Sequence, residues 1–120
     1  MKKLLIPSIF FVLLISFSFA QKPYKVVFYN LENFFDTIND PEVLDDEFTP
    51  DSPKKWNTAK YNKKLNNTER VLFDIAAIDK NYPIVIGVSE VETRGVLKDI
   101  VATPKLAPAN YRIAHFDSPE

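Results

Sequence analysis

Two short runs of β-branched and aromatic residues, Lys25–Tyr29 and Ile84–Val88, flank a segment with helical spacing. That order constrains the fold more than any other feature. Between the runs, Tyr61, Leu65, Thr68, Leu72, Ile75 and Ile78 recur at three- and four-residue intervals, the period of an amphipathic helix. Asn57 or Thr58 suits its N-cap. Asn81-Tyr82-Pro83 stops it, because the residue before a proline is driven out of the α region. A helix over Thr58–Asp79 is expected. Strand, crossover helix and strand make a βαβ unit with parallel pairing. Both runs are apolar almost throughout, which suits strands covered on both faces.

The remainder fills in around this unit. Thr93–Val101 reads as a second, short helix ending near Pro104, and Tyr111–Phe116 (YRIAHF) reads as a third strand. The expected class is α/β (α+β), with about three strands and two helices. The crossover carries an irregular insertion, residues 36–57. From Asp36 to Asp51 it holds seven carboxylates and no basic residue, and Pro41, Pro50 and Pro53 oppose a long helix. A calcium loop needs alternating oxygen ligands and a glycine at its sharp turn, and this stretch has no glycine. A solvated, mobile insertion is the expectation. Lys54–Lys64 then reverses the sign, with five lysines around Trp56 and Tyr61. This is either a phosphate-facing patch with an aromatic platform or the wet face of the helix start.

The first 20 residues have the layout of a secretory signal peptide. Lys2 and Lys3 give a positive start, Leu4–Phe19 is uncharged, and Ser18-Phe19-Ala20 places small residues around a cleavage point. The run of 16 residues is short of the roughly 20 needed to span a bilayer. The expectation is export to a periplasmic or extracellular location, with no stable membrane anchor after cleavage. The chain has no cysteine, so neither a disulfide nor a lipidated cysteine is available. Without the leader, 13 basic and 16 acidic residues leave a net charge of −3. That balance does not point to a polybasic membrane binder or a nucleic-acid coat protein.

The chemistry concentrates where the strands end. Asn30 and Glu32 follow the first run, and Glu90 follows the second. In open parallel sheets, ligands bind beyond the carboxyl ends of the strands. Parallel pairing would bring these groups to one rim. An amide and two carboxylates are hard oxygen ligands suited to Mg2+, Mn2+ or Ca2+. A single histidine and no cysteine disfavour zinc. Read from the residues alone, Asn30 could equally satisfy a turn, and Glu90 could open the following helix.

Tyr29-Asn30-Leu31-Glu32 resembles the first motif of the endonuclease/exonuclease/phosphatase superfamily, the deoxyribonuclease-I-like fold. Ile84–Glu90 (IVIGVSE) resembles its second motif, a buried strand ending in a metal-binding glutamate. The family usually has glutamine before that glutamate; here Ser89 stands there, with the carboxylate retained. The leader, YNLENFFD and the acidic-then-basic insertion together resemble exported bacterial members. The resemblance implies the N-terminal part of a four-layered α/β-sandwich over residues 21–120. It implies a divalent-metal-dependent phosphoesterase, with Glu90 as metal ligand, Glu32 as a second acidic ligand, and Asn30 holding the phosphate and the catalytic network. Mg2+ or Mn2+ is the implied cofactor, with Ca2+ possible, and a nucleic acid or phosphate ester the implied substrate. Glu92 falls outside the motif and is expected no closer than behind the ligands.

Two elements that the family carries in its later half have no match after Glu92: an aspartate-spacer-asparagine triplet and a serine-aspartate-histidine. His115, the single histidine, does not match the catalytic position. The expectation is a truncated, inactive fragment. The alternative is a small secreted, non-enzymatic α/β binding or interaction domain in which Asn30 and Glu90 are structural.

Overall fold

The structure is a computed structural model that describes residues 23–41 and 44–116. The leader expected over residues 1–20 lies outside the described residues. Four elements follow in order: β1 (Val26–Phe34), α1 (Thr58–Ala77), β2 (Val85–Val91) and α2 (Arg94–Ala102). Short 3-10 turns occupy Asp46–Phe48 and Ala107–Ala109. β1 and β2 pair in parallel, with Val26 beside Val85 and Asn30 beside Ser89. The βαβ unit is present, and the fold is α/β.

Local chemistry sets the helix ends. The Asn57 side chain accepts the Lys60 N–H at 3.1 Å, so Asn57 is the N-cap and Thr58 the first helical residue. α1 stops two residues before the expected end. Lys80 enters the left-handed region (φ 58°), and the Asn81 N–H closes back on the Ala76 carbonyl at 3.1 Å. Ile78, placed on the apolar stripe by its spacing, is therefore past the last helical turn and 82% exposed. α2 is capped by Thr93, whose Oγ1 accepts the Val96 N–H.

The core lies between the sheet and the helices. Leu31, Phe34, Leu72, Val96, Ile100 and Leu106 form it, with Val27, Tyr29, Ile86 and Val88 packed against it from the sheet. Fully burying a side chain such as Phe34 or Leu72 is worth about 1.5–3 kcal/mol. The other sheet face is different. Val26 is 67% exposed and Phe28 74%. Among the described residues, the strands are covered on one face, not two. The apolar run is continuous in sequence, but α1 and α2 reach only the alternate residues that point their way. On the open face Phe28 lies over Gly87, where a Cβ would come within 3.0 Å of its ring.

Two further expectations are corrected. Tyr111–Phe116 joins no sheet among the described residues. It is extended, with Tyr111, Ile113 and His115 half-buried and their neighbours exposed. Side chains tether it instead: Tyr111 Oη donates to the Pro83 carbonyl at 2.7 Å, and Arg94 Nη2 to the Ile113 carbonyl at 3.1 Å. Its period-two pattern reports which side chains turn inward, and that pattern does not require a hydrogen-bonded neighbour. The insertion is not simply solvated either. Phe48 stacks on Phe35 with ring centroids 4.1 Å apart, Trp56 Nε1 donates to the Phe35 carbonyl at 3.0 Å, and Asp45 and Ser52 are buried.

Candidate active site

β1 does not end as a regular strand. Asn30 pairs with Ser89 and Phe34 with Val91, so Leu31, Glu32 and Asn33 face Glu90 alone. The surplus residues kink the backbone. Glu32 (φ 53°), Asn33 (φ 59°) and Glu90 (φ 56°) all adopt left-handed conformations. Such conformations cost of order 1–3 kcal/mol each and persist where neighbouring contacts enforce them. Here Leu31 and Phe34 are driven into the core on either side of the kink, which leaves Glu32 and Asn33 turned out to solvent.

A closed set of hydrogen bonds holds the rim. Asn30 Nδ2 donates to Glu90 Oε1 at 2.9 Å, and Asn30 Oδ1 accepts the Glu32 N–H at 2.8 Å. The Asn33 N–H donates to Glu90 Oε2 at 3.1 Å. Both ends of one amide and both oxygens of one carboxylate are thus engaged. Lys64 reaches over from α1 and donates to the carbonyls of Glu32 (2.5 Å) and Asn33 (3.2 Å). Its ammonium also stands 5.4 Å from the Phe34 ring and 5.5 Å from the Trp56 ring. Burial lowers the Lys64 pKa, while the Glu32 and Glu90 carboxylates act in the opposite direction.

Asn30 and Glu90, separated by 60 residues, therefore touch directly. Glu32 joins them through its main chain, and its side chain is exposed at the same rim. Glu92 sits behind them. It is half-buried, its Oε2 accepts the Asp36 N–H at 2.7 Å, and its own N–H donates to the Phe34 carbonyl. Burial pushes its carboxyl up to about 7; the Asp36 and Asp45 charges add to this, and the Asp36 N–H opposes it. Asp45, whose charge adds to this shift, is 1% exposed, and its Oδ1 is a buried oxygen that accepts no hydrogen bond among the described residues.

Among the described residues, no group of three or more His, Cys, Asp or Glu side chains gathers as a metal cage. Mg2+ does not require one, since it is usually held by one or two carboxylates with waters and substrate phosphate oxygens. Each Glu90 oxygen accepts one N–H and retains acceptor capacity beyond it. Glu90, with Glu32 at the same rim, fits such a cation.

Two participants are not visible from motifs. Asn33 contributes only its main chain, which no side-chain pattern reports. Lys64 belongs by charge to the wet face, yet it lies three residues after Tyr61 and four before Thr68, on the apolar stripe. That spacing was the available signal, and the long stem explains how the stripe tolerates a lysine. His115 lies elsewhere, lining an apolar cleft of about 390 Å3 with Ile86, Val88, Leu97 and Tyr111. No described helix is long and apolar enough to cross a membrane.

Residues 25–120 match the family model described as Endonuclease/Exonuclease/phosphatase family. No curated protein and no solved structure gives a significant match to the chain.

Proposed function

The chain belongs to the endonuclease/exonuclease/phosphatase family, and from that premise we propose that it supplies the divalent-cation site of a phosphate-ester hydrolase, with Mg2+ or Mn2+ and less suitably Ca2+ bound at Glu90, while the later catalytic elements of the family have no match in these residues. The observation that supports this reading most is the 2.9 Å contact between Asn30 and Glu90 at the carboxyl end of two parallel strands. A bound cation of this kind polarises the phosphate and stabilises the charge that builds up as water attacks in line. The chain's own residues do the positioning. Glu90 offers its carboxylate in an orientation held by Asn30 on one oxygen and by the Asn33 N–H on the other. Glu32 presents a second carboxylate from an adjoining left-handed position. Asn30, beside that carboxylate, is the group to orient the scissile phosphate. Both its side-chain ends are hydrogen-bonded, so it reaches a substrate already ordered.

The substrate is a nucleic acid or another phosphate ester; choice among DNA, RNA, phospholipid head groups and small esters resides in loops beyond the rim. Export rests on the leader layout of residues 1–20. No proton-transfer group is assigned.

Manganese titration followed by water-proton relaxation tests the reading directly. The protein should bind Mn2+, and Glu90→Gln, which keeps the shape and removes the charge, should abolish binding. Metal-dependent cleavage of bis(p-nitrophenyl) phosphate should fall with it wherever the protein is active. Equal Mn2+ binding by both proteins would overturn the assignment and leave a non-enzymatic binding domain as the better description.

A further inference from the structure

Lys64 is neither in the motifs nor at the reacting end of a strand, yet it hydrogen-bonds the rim from α1. The kink at Glu32–Asn33 takes two carbonyls out of regular pairing with β2. Carbonyls without partners are costly, and a kink held only by strain would relax. The Asn33 carbonyl accepts the Phe35 N–H at 3.2 Å, and Lys64 supplies a donor to it and to the Glu32 carbonyl. Its ammonium stands 5.4 Å from the Phe34 ring centre and 5.5 Å from that of Trp56, and burial partly desolvates it.

We propose that Lys64 is a positioning residue of this site: by bridging the Glu32 and Asn33 carbonyls, it holds the left-handed turn that aims the Asn30 amide and the Asn33 N–H at Glu90. The inference deepens the proposed function and rests on it for the metal, but the turn itself can be tested without metal. The sign of the effect is informative. By charge alone, removing a lysine near Glu32 and Glu90 should strengthen cation binding, because like charges repel. By positioning, the same removal should weaken it, because the carboxylate loses its fixed orientation.

The test compares Lys64→Met, which keeps the stem but loses charge and donors, with Lys64→Arg, which keeps both. Two readouts are needed. In metal-free protein, hydrogen exchange at the Glu32 and Asn33 amides should lose its protection in Lys64→Met, while the amides of β2 and of mid-α1 keep theirs. Lys64→Arg should restore it. In the Mn2+ titration, Lys64→Met should bind about 10-fold more weakly and Lys64→Arg close to the starting protein. Unchanged exchange at Glu32 and Asn33, or Mn2+ binding as tight or tighter in Lys64→Met, would overturn the positioning role. If Glu90→Gln binds Mn2+ as well as the starting protein, the metal assignment fails, and the exchange readout still decides whether Lys64 holds the turn.

Discussion

One lysine ties each end of the β1–β2 pair to α1, and the two ties differ in what balances the charge. At the start of β1, Lys25 donates to the Ile75 and Asn81 carbonyls and forms an ion pair with Asp79 at 2.6 Å. At the far end, Lys64 donates to two carbonyls, while the neighbouring carboxylates act on it only through space. The first end uses its carboxylate internally, at a helix C-terminus where a cation is favoured anyway. The second holds Glu90 with neutral N–H donors and leaves its carboxylate without a salt bridge among the described residues. Two similar anchors thus produce a closed end and, in the proposed function, a receptive end on one pair of strands.

Phe34→Ala is the most damaging way to break this comparison. Phe34 is fully buried, is the last paired residue of β1, and lies 5.3 Å from the Tyr61 ring. Its loss should cost about 3–5 kcal/mol by urea unfolding and release both the kink and the site above it. A cost below about 1 kcal/mol, within the range of a surface change, would mean that the core does not anchor the rim. Asn30→Ala should act only at the receptive end. It removes the donor to Glu90 Oε1 and should lower Mn2+ affinity about 10–100-fold, with the melting temperature little changed.

Lys25→Met should give the opposite pattern. Removing a part-buried charge with three acceptors should cost about 1.5 kcal/mol of stability, the low end for charged hydrogen bonds, because Asp79 is well exposed. Mn2+ affinity should not move; a parallel loss would erase the distinction between the ends. The smallest effect expected is a pH dependence. The Lys25 hydrogen bond holds the Asp79 carboxyl below its ordinary value of 3.8. A depressed carboxyl stabilises the fold above its unfolded pKa, and that contribution disappears as pH falls through the lower folded value. Thermal melts of Asp79→Asn should therefore lie slightly below those of the starting protein at neutral pH and converge with them as pH falls below 3.8.

The order of elements was legible because each depends on local chemistry. Asn57 capped the helix as its side chain suggests, and the βαβ order implied parallel strands, whereas the helix ended at Ala77, ahead of the stop read at Asn81-Tyr82-Pro83. The strand read into Tyr111–Phe116 was not there, since alternation of side chains does not supply a partner. In the candidate site, Asn30 and Glu90 were legible because both follow apolar runs. Lys64 was legible only as a polar charge on a wet face. Its approach to the rim depends on how closely α1 packs on β1 near Phe34, Tyr61 and Trp56, and no local pattern reports that distance.

By itself, the sequence determined the alternation of strand and helix, the helix caps, and the amide and acid that follow each apolar run. These are consequences of side-chain size, period and backbone preference within a few residues. The tertiary structure alone decided that three residues of β1 oppose one of β2, that Glu90 is gripped from two sides, and that one lysine of α1 closes the rim. Register and approach distance arise from packing between segments far apart in the chain. Their energies depend on contacts that no single segment contains.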